Sequence, residues 1–216
     1  MVIACWSVKG GSGTTVVAAG LALRLARSSP GVVLADLAGD APAALGQPEP
    51  AGPGLADWLA AGPTVADDAL SRLEVDVGAG LSILPAGRAA GRASNAADGE
   101  RLVAALSARP RAVVVDCGSI ASDAALGVAA AASRSLLVIR PCFLALRRAI
   151  AAPIRPSAVV LVLEEERTLG AADVEDVLGV PVHIVPWDAT VARAVDAGLL
   201  ASRLPRLLDR ALRDAA

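Results

Sequence analysis

The residues with the clearest chemical purpose lie close to the amino terminus, in the run Lys9-Gly10-Gly11-Ser12-Gly13-Thr14-Thr15. Successive small residues let backbone N–H groups point into one concavity, and with the amino terminus of a following helix they attract phosphate oxygens. Thr15, at the helix start, would offer its hydroxyl to Mg2+. A glycine-rich turn can also be purely structural, so it needs companions before it means a binding site. Two carboxylates supply them. Val113-Val114-Val115-Asp116 is an apolar run ending in an acid, which in a phosphate-loop fold sits beside the magnesium shell. Val32-Val33-Leu34-Ala35-Asp36 is another, and carboxylates at the carboxyl ends of parallel strands converge on one ligand crevice. Lys9 stands out for a separate reason: it is the one lysine among 20 basic residues. Lysine is a compact charge on a flexible stem and arginine a broad planar fork, so a tight phosphate site can demand lysine where a surface does not.

Strand, glycine loop and helix in that order are required to aim such a loop. Val2–Ser7 reads as the strand and Val16–Ala26 as the helix. Further strands are expected at Val32–Ala35, Leu81–Leu84, Ala112–Asp116, Ser135–Arg140, Ala158–Leu163 and Val182–Val185. They are continuous apolar runs rather than alternating ones, the pattern of strands covered on both faces. Helical patterns fall between them at Leu55–Ala61, Gly99–Ala108, Asp123–Ala132, Leu144–Ala151, Ala171–Leu178, Thr190–Ala197 and Arg206–Arg213. This alternation predicts an α/β fold with a doubly wound, mostly parallel sheet and helices on both faces. Ala41–Gly54, rich in Pro and Gly, and Pro85–Gly99, rich in Ala, Gly and Arg, are expected to be mobile loops. With 216 residues, 55% of them hydrophobic, one full core is expected, a single domain over residues 1–216 with no internal repeat.

Bulk properties exclude several classes of function. Net charge is −2 with both signs spread along the chain, so there is no strong nucleic-acid or membrane signal. The apolar runs fall short of a spanning helix, and Met1-Val2-Ile3-Ala4-Cys5-Trp6 lacks the basic start of a signal peptide, which predicts a cytoplasmic protein. Cys5, Cys117 and Cys142 are odd in number and far apart, against a disulfide framework or a zinc site. His183 reads as a hydrogen-bonded core residue, Trp58 and Trp187 as packing anchors, and Arg147-Arg148 as a solvated helix face.

With its leading lysine, Lys9-Gly10-Gly11-Ser12-Gly13 resembles the deviant Walker A loop of the ParA/MinD branch of P-loop ATPases. Later segments agree: Ser135-Leu136-Leu137-Val138-Ile139-Arg140-Pro141 looks like that family's strand ending in proline, and Val185-Pro186-Trp187-Asp188 with Val191-Ala192-Arg193-Ala194 like its late loop and helix. The resemblance covers nearly the whole chain. It implies ATP and Mg2+ as ligands, a phosphate cradle of Lys9, Gly10, Gly11, Ser12, Gly13, Thr14 and Thr15, and a metal set of Thr15, Asp36 and Asp116. It also implies a homodimer across the nucleotide, with Lys9 reaching the partner's ATP and Asp36 in the switch I region.

Three departures bear on function. The second loop lysine expected between Gly13 and Thr15 is Thr14, and losing one preorganised contact of this type typically costs ~3 kcal/mol, about a hundredfold in rate. In Asp36-Leu37-Ala38-Gly39-Asp40, Ala38 stands where a second acid would orient the attacking water; Asp40 either takes that catalytic part or forms an Asx turn. Glu164-Glu165-Glu166 stands where an asparagine often meets adenine, and reads instead as a solvated loop. A small residue in place of the second lysine is itself similar to the CpaE/TadZ-like proteins of Flp (tight adherence) pilus loci. The resemblance therefore implies an ATP-binding, dimerising positioning factor for a pilus or secretion machine, recruited to the pole or inner membrane by protein partners, with weak or absent hydrolysis. The alternatives are an active ParA/MinD-like ATPase of septum placement or partition, and a nucleotide-free interaction module. The carboxyl-terminal stretch Leu204–Arg213 is amphipathic and suited to packing on the sheet.

Overall fold

In β1 (Val2–Ser7) every residue is buried, with Val2, Ala4 and Trp6 entering one core and Ile3 and Cys5 another. Successive strand side chains point to opposite faces, so a strand apolar throughout needs cover on both sides. The same division recurs in β2 (Val32–Asp36), β5 (Val113–Ser119), β6 (Arg134–Ile139) and β7 (Ala158–Leu163). With β3 (Val75–Gly78), β4 (Leu81–Leu84) and β8 (Val182–Pro186) they form one eight-stranded sheet in the order β3-β4-β2-β5-β1-β6-β7-β8. All pairings are parallel except β3 with β4. The computed structural model describes residues 1–29, 31–66, 68–88 and 94–215.

Helices cover both faces. On the Trp6 side lie α3 (Leu55–Ala61), α4 (Ala69–Arg72), α5 (Ala96–Ser107), α6 (Asp123–Ala131), α7 (Phe143–Ile150) and α8 (Ala171–Leu178). On the Ile3 side lie α1 (Thr14–Ser28), α2 (Ala41–Leu45), α9 (Ala189–Asp196) and α10 (Arg206–Ala211). Leu204, Leu208 and Leu212 are buried, and Leu208 and Leu212 lie over Gly20 of α1, so the apolar face of the carboxyl-terminal segment is turned inward. No helix among the described residues is long and apolar enough to cross a membrane.

The structure departs from the sequence expectations at the less apolar elements. The expected loop Ala41–Gly54 opens with α2, whose first amide donates to the Asp36 carboxylate (3.0 Å) and whose Pro42 sits in the first turn where no N–H is needed. α4 and the edge strand β3 are additional. β3 contributes only exposed or half-buried residues, so it carries no apolar pattern to read. β5 runs on past Asp116 to Ser119. Of the expected loop Pro85–Gly99, positions 89–93 lie outside the described residues, and α5 already begins at Ala96, where the Asn95 side chain accepts the Asp98 N–H.

Candidate functional site

The glycine loop leaves the carboxyl end of β1 and enters α1 at Thr14. Gly11 and Gly13 hold φ of 74° and 91°, in the left-handed region open to glycine, the backbone geometry from which loops that line an anion site with N–H groups are built. The Ser12 hydroxyl donates to the Lys9 carbonyl (3.0 Å), and the Ser7 hydroxyl lies 3.0 Å from that carbonyl and 3.1 Å from the Gly118 carbonyl. Ser7 thus ties the loop to the next strand. The pairing of β1 with β5 shifts there: Cys5 opposes Asp116 but Ser7 opposes Ser119, a bulge with Gly118 at φ 57°. Bulges of this kind re-aim side chains beside functional sites.

Between these loops lies a cleft of about 550 Å³ lined by Gly10, Gly11, Ser12, Gly13, Thr14 and Thr15 on one side and by Ala38, Asp40, Gly118 and Ser122 on the other. No lysine or arginine lines it among the described residues. Lys9 is half-buried, does not line the cleft, and makes no ion pair among the described residues. Thr14, at the position where the resemblance expects a lysine, is 6% exposed and faces the cleft.

The two strand-end acids differ in what they do. Asp36 is fully buried; one oxygen accepts the Ala38 and Gly39 N–H groups (2.9 and 2.7 Å), the other the Ala41 N–H. Burial raises its carboxyl above the usual range, against the pull of those three donors. Both oxygens are engaged in holding the turn that brings Ala38 and Asp40 to the cleft wall. Asp40 makes no capping bond to α2, so the Asx turn here belongs to Asp36. Asp116 is also fully buried; one oxygen accepts the Gly118 N–H (2.9 Å), while its Oδ2 has no partner at full hydrogen-bond distance among the described residues, the nearby Thr15 hydroxyl acting on the carboxylate from further off. Burial pushes its carboxyl up to about 6, opposed by the Thr15 hydroxyl and the Gly118 N–H, with the charges of Asp36 and Asp40 adding to the rise.

A buried carboxylate oxygen without a close partner, behind a threonine that lines a phosphate-sized cleft, fits Mg2+. The ion would draw on Asp116 and Thr15 and take its remaining oxygens from phosphate and water, as Mg2+ commonly does. Among the described residues no cluster of three His, Cys, Asp or Glu could hold a metal alone.

Sequence reasoning missed Ser7, Gly118 and Ser122, which line the cleft or brace it. A glycine two positions after a strand-end acid is the one signal that points to them. It also missed a second cavity of about 250 Å³ past Gly13, walled by Val16, Val17, Arg140, Val162, Trp187 and Val191. Trp187, expected as a packing anchor, is 49% exposed there because it follows the last residue of the edge strand; Trp58 is buried under Arg101, whose guanidinium lies 3.9 Å from the ring centre. Glu164, expected in a solvated run, instead accepts from Arg140 (2.7 Å) and Arg167, while Glu165 and Glu166 are exposed.

No family model matches this sequence, and no curated protein is detectably similar to it. Solved structures are similar over the whole length. A ParA family ATPase from Chlorobium tepidum TLS superposes with a TM-score of 0.77 at 20% identity, over 99% of this chain and 97% of that one. The septum site-determining protein MinD of Pyrococcus horikoshii OT3, complexed with Mg-ADP, gives 0.76 at 19% identity over 97% and 93%. MinD in a MinC:MinD cell division complex of Aquifex aeolicus gives 0.74 at 19% over 99% and 95%. The chain has the α/β fold of these ParA and MinD structures, a mostly parallel eight-stranded sheet flanked by helices.

Proposed function

From that fold and the cleft it presents, we propose that the protein is an ATP–Mg2+-gated positioning factor that dimerises across the nucleotide and hydrolyses it slowly or not at all. The observation that supports this most is an intact metal corner, Asp116 Oδ2 beside Thr15, next to a cradle with Thr14 where a loop cation would stand. Backbone N–H groups of residues 10–15 bind and orient the phosphates, and Thr15 and Asp116 hold the metal, which supplies the positive charge that β- and γ-phosphate oxygens need. Without a lysine at position 14 the cleft binds charge but has little with which to stabilise charge that moves. Lys9, with no ion pair among the described residues, is free to reach a second protomer's nucleotide. Asp36 positions the turn, and the base enters the cavity walled by Val16, Arg140 and Trp187. That the Pyrococcus horikoshii protein holds Mg-ADP, and the Aquifex aeolicus protein a protein partner, supports the same assignments here. Within this class we assign the chain to the CpaE/TadZ-like kind that places a pilus or secretion machine, on the loop Lys-Gly-Gly-Ser-Gly-Thr-Thr.

One observation favours an active ATPase instead: Asp40 lines the cleft and its carboxylate makes no hydrogen bond or ion pair among the described residues, so it could orient water despite Ala38. Calorimetric titration of ATP–Mg2+, with light scattering and phosphate release on the same samples, separates the two. The gated-scaffold reading expects binding and dimerisation in the wild type, loss of dimerisation in Lys9→Ala, and phosphate release that rises about a hundredfold only in Thr14→Lys. Brisk wild-type release that Asp40→Asn abolishes establishes the ATPase, and absence of binding in every variant overturns both.

A further inference from the structure

We propose that the groove between α9 and the start of α10 docks an acidic, leucine-bearing peptide segment of a partner protein. The groove encloses about 890 Å³, more than the phosphate cleft, and shares no lining residue with it. Arg193, Arg203 and Arg206 line it and no acidic residue does. All three are exposed, and none makes an ion pair among the described residues. Arg193 influences Asp188 at the amino end of α9 from beyond ion-pair distance. On the same side of the sheet Arg24 and Arg27 are neutralised locally, both reaching Asp209.

The groove wall is unusual as well. α9 has no buried residue, whereas every other helix at least as long buries two or more. Its groove-facing positions, Thr190, Arg193, Ala194 and Ala197, recur at the spacing of one helical face. The floor is apolar, with Leu199 46% exposed and Leu204 and Leu207 beneath it. Three unpaired cations above a concave leucine floor match a segment that offers carboxylates and apolar side chains together. A nucleic-acid backbone would gain from the arginines but nothing from the leucines, and a chain of net charge −2 repels a polyanion at long range. A flat lipid surface would not reach Leu204, which is 6% exposed.

The test is fluorescence anisotropy with labelled peptides that combine glutamate and leucine at several spacings, beside glutamate-only and lysine–leucine sets. Binding of the glutamate–leucine set is expected, weakened at least about tenfold in Arg193→Glu/Arg206→Glu and unchanged in Arg147→Glu/Arg148→Glu on α7. Leu199→Ser should weaken it without altering charge, and hydrogen exchange should slow at residues 190–207 when peptide is bound. Thermal melts confirm that the exposed substitutions leave the fold intact, and ATP binding, which uses the other cleft, stays as in the wild type if the gated-scaffold reading holds. Equal binding of glutamate-only peptides, no binding of any set, or tighter binding of duplex DNA or phosphatidylglycerol vesicles lost with the same arginines would each overturn the proposal.

Discussion

At the residue scale, Asp116 is the group on which folding and ligand binding pull in opposite directions. Its carboxyl titrates near 6 in the folded chain, against an ordinary value of 3.8. Between those values the folded protein holds a proton that the unfolded chain has lost, so stability falls as pH rises from about 4 to 6 and the full cost is present above that. A shift of this size corresponds to roughly 3 kcal/mol. Mg2+ favours the ionised form, so it offsets the cost at neutral pH and has little to act on in acid. We expect ATP–Mg2+ to raise Tm more at about pH 7.5 than at about pH 5. Asp116→Asn should make the metal-free protein more stable than wild type at about pH 7.5 while removing the response to Mg2+, as read by calorimetric melts. A variant less stable than wild type under those conditions would show that Asp116 is satisfied by something other than a metal. Asp36 behaves differently because its three backbone partners are internal to the turn. Asp36→Asn should loosen that turn, and its cost of about 1–3 kcal/mol should be independent of Mg2+ in urea titrations.

At the element scale, α5 and α6 approach closely enough that their backbones touch through glycine. A Cβ at Gly99 would overlap the Ala124 carbonyl and lie 2.7 Å from the Val128 nitrogen, and one at Gly127 would overlap the Ala96 carbonyl. Both glycines are inside helices, where alanine would normally add about 1 kcal/mol. Here the helices would have to separate and open the core around Leu102 and Val128, which are fully buried. Gly99→Ala and Gly127→Ala are each expected to destabilise by about 1–3 kcal/mol, with a lower urea midpoint and an unchanged slope. A stabilised alanine variant would mean that the helices separate at no cost. The sheet itself tolerates more at its edges, since β3 buries nothing and β8 only Val185.

At the scale of the whole molecule, what the sequence discloses is what burial on both faces writes into it. β1, β2, β5, β6 and β7 were legible because a strand covered twice is apolar throughout, and the loop with Asp116 was legible because it needs particular residue types. β3 was not, since Val75-Asp76-Val77-Gly78 lies exposed at the edge, nor was α2, which depends on an Asp36 carboxylate reaching forward to Ala41. The second cavity was hidden because it is assembled from segments distant in sequence, and the arginine groove because it depends on how one stretch, residues 190–207, turns back on itself; α9 borders both. That position makes α9 the least anchored helix of its length in the fold, flanked by cavities of about 250 and 890 Å³ and without a buried residue. Local opening should cost least where the fewest apolar contacts are lost. Hydrogen exchange is therefore expected to be fastest by far in α9 among helices of at least eight residues. The amides of β1 and β5, buried between two cores, and of the middle of α1, packed into one of them, should exchange only through global unfolding. If the base occupies the cavity behind Trp187, saturating ATP–Mg2+ should slow α9 as well as the first turn of α1, because Val191 and Ala192 line one side of that cavity and Gly13 and Val16 the other. Protection confined to the first turn of α1 would leave the phosphates bound where the loop predicts and move the base elsewhere.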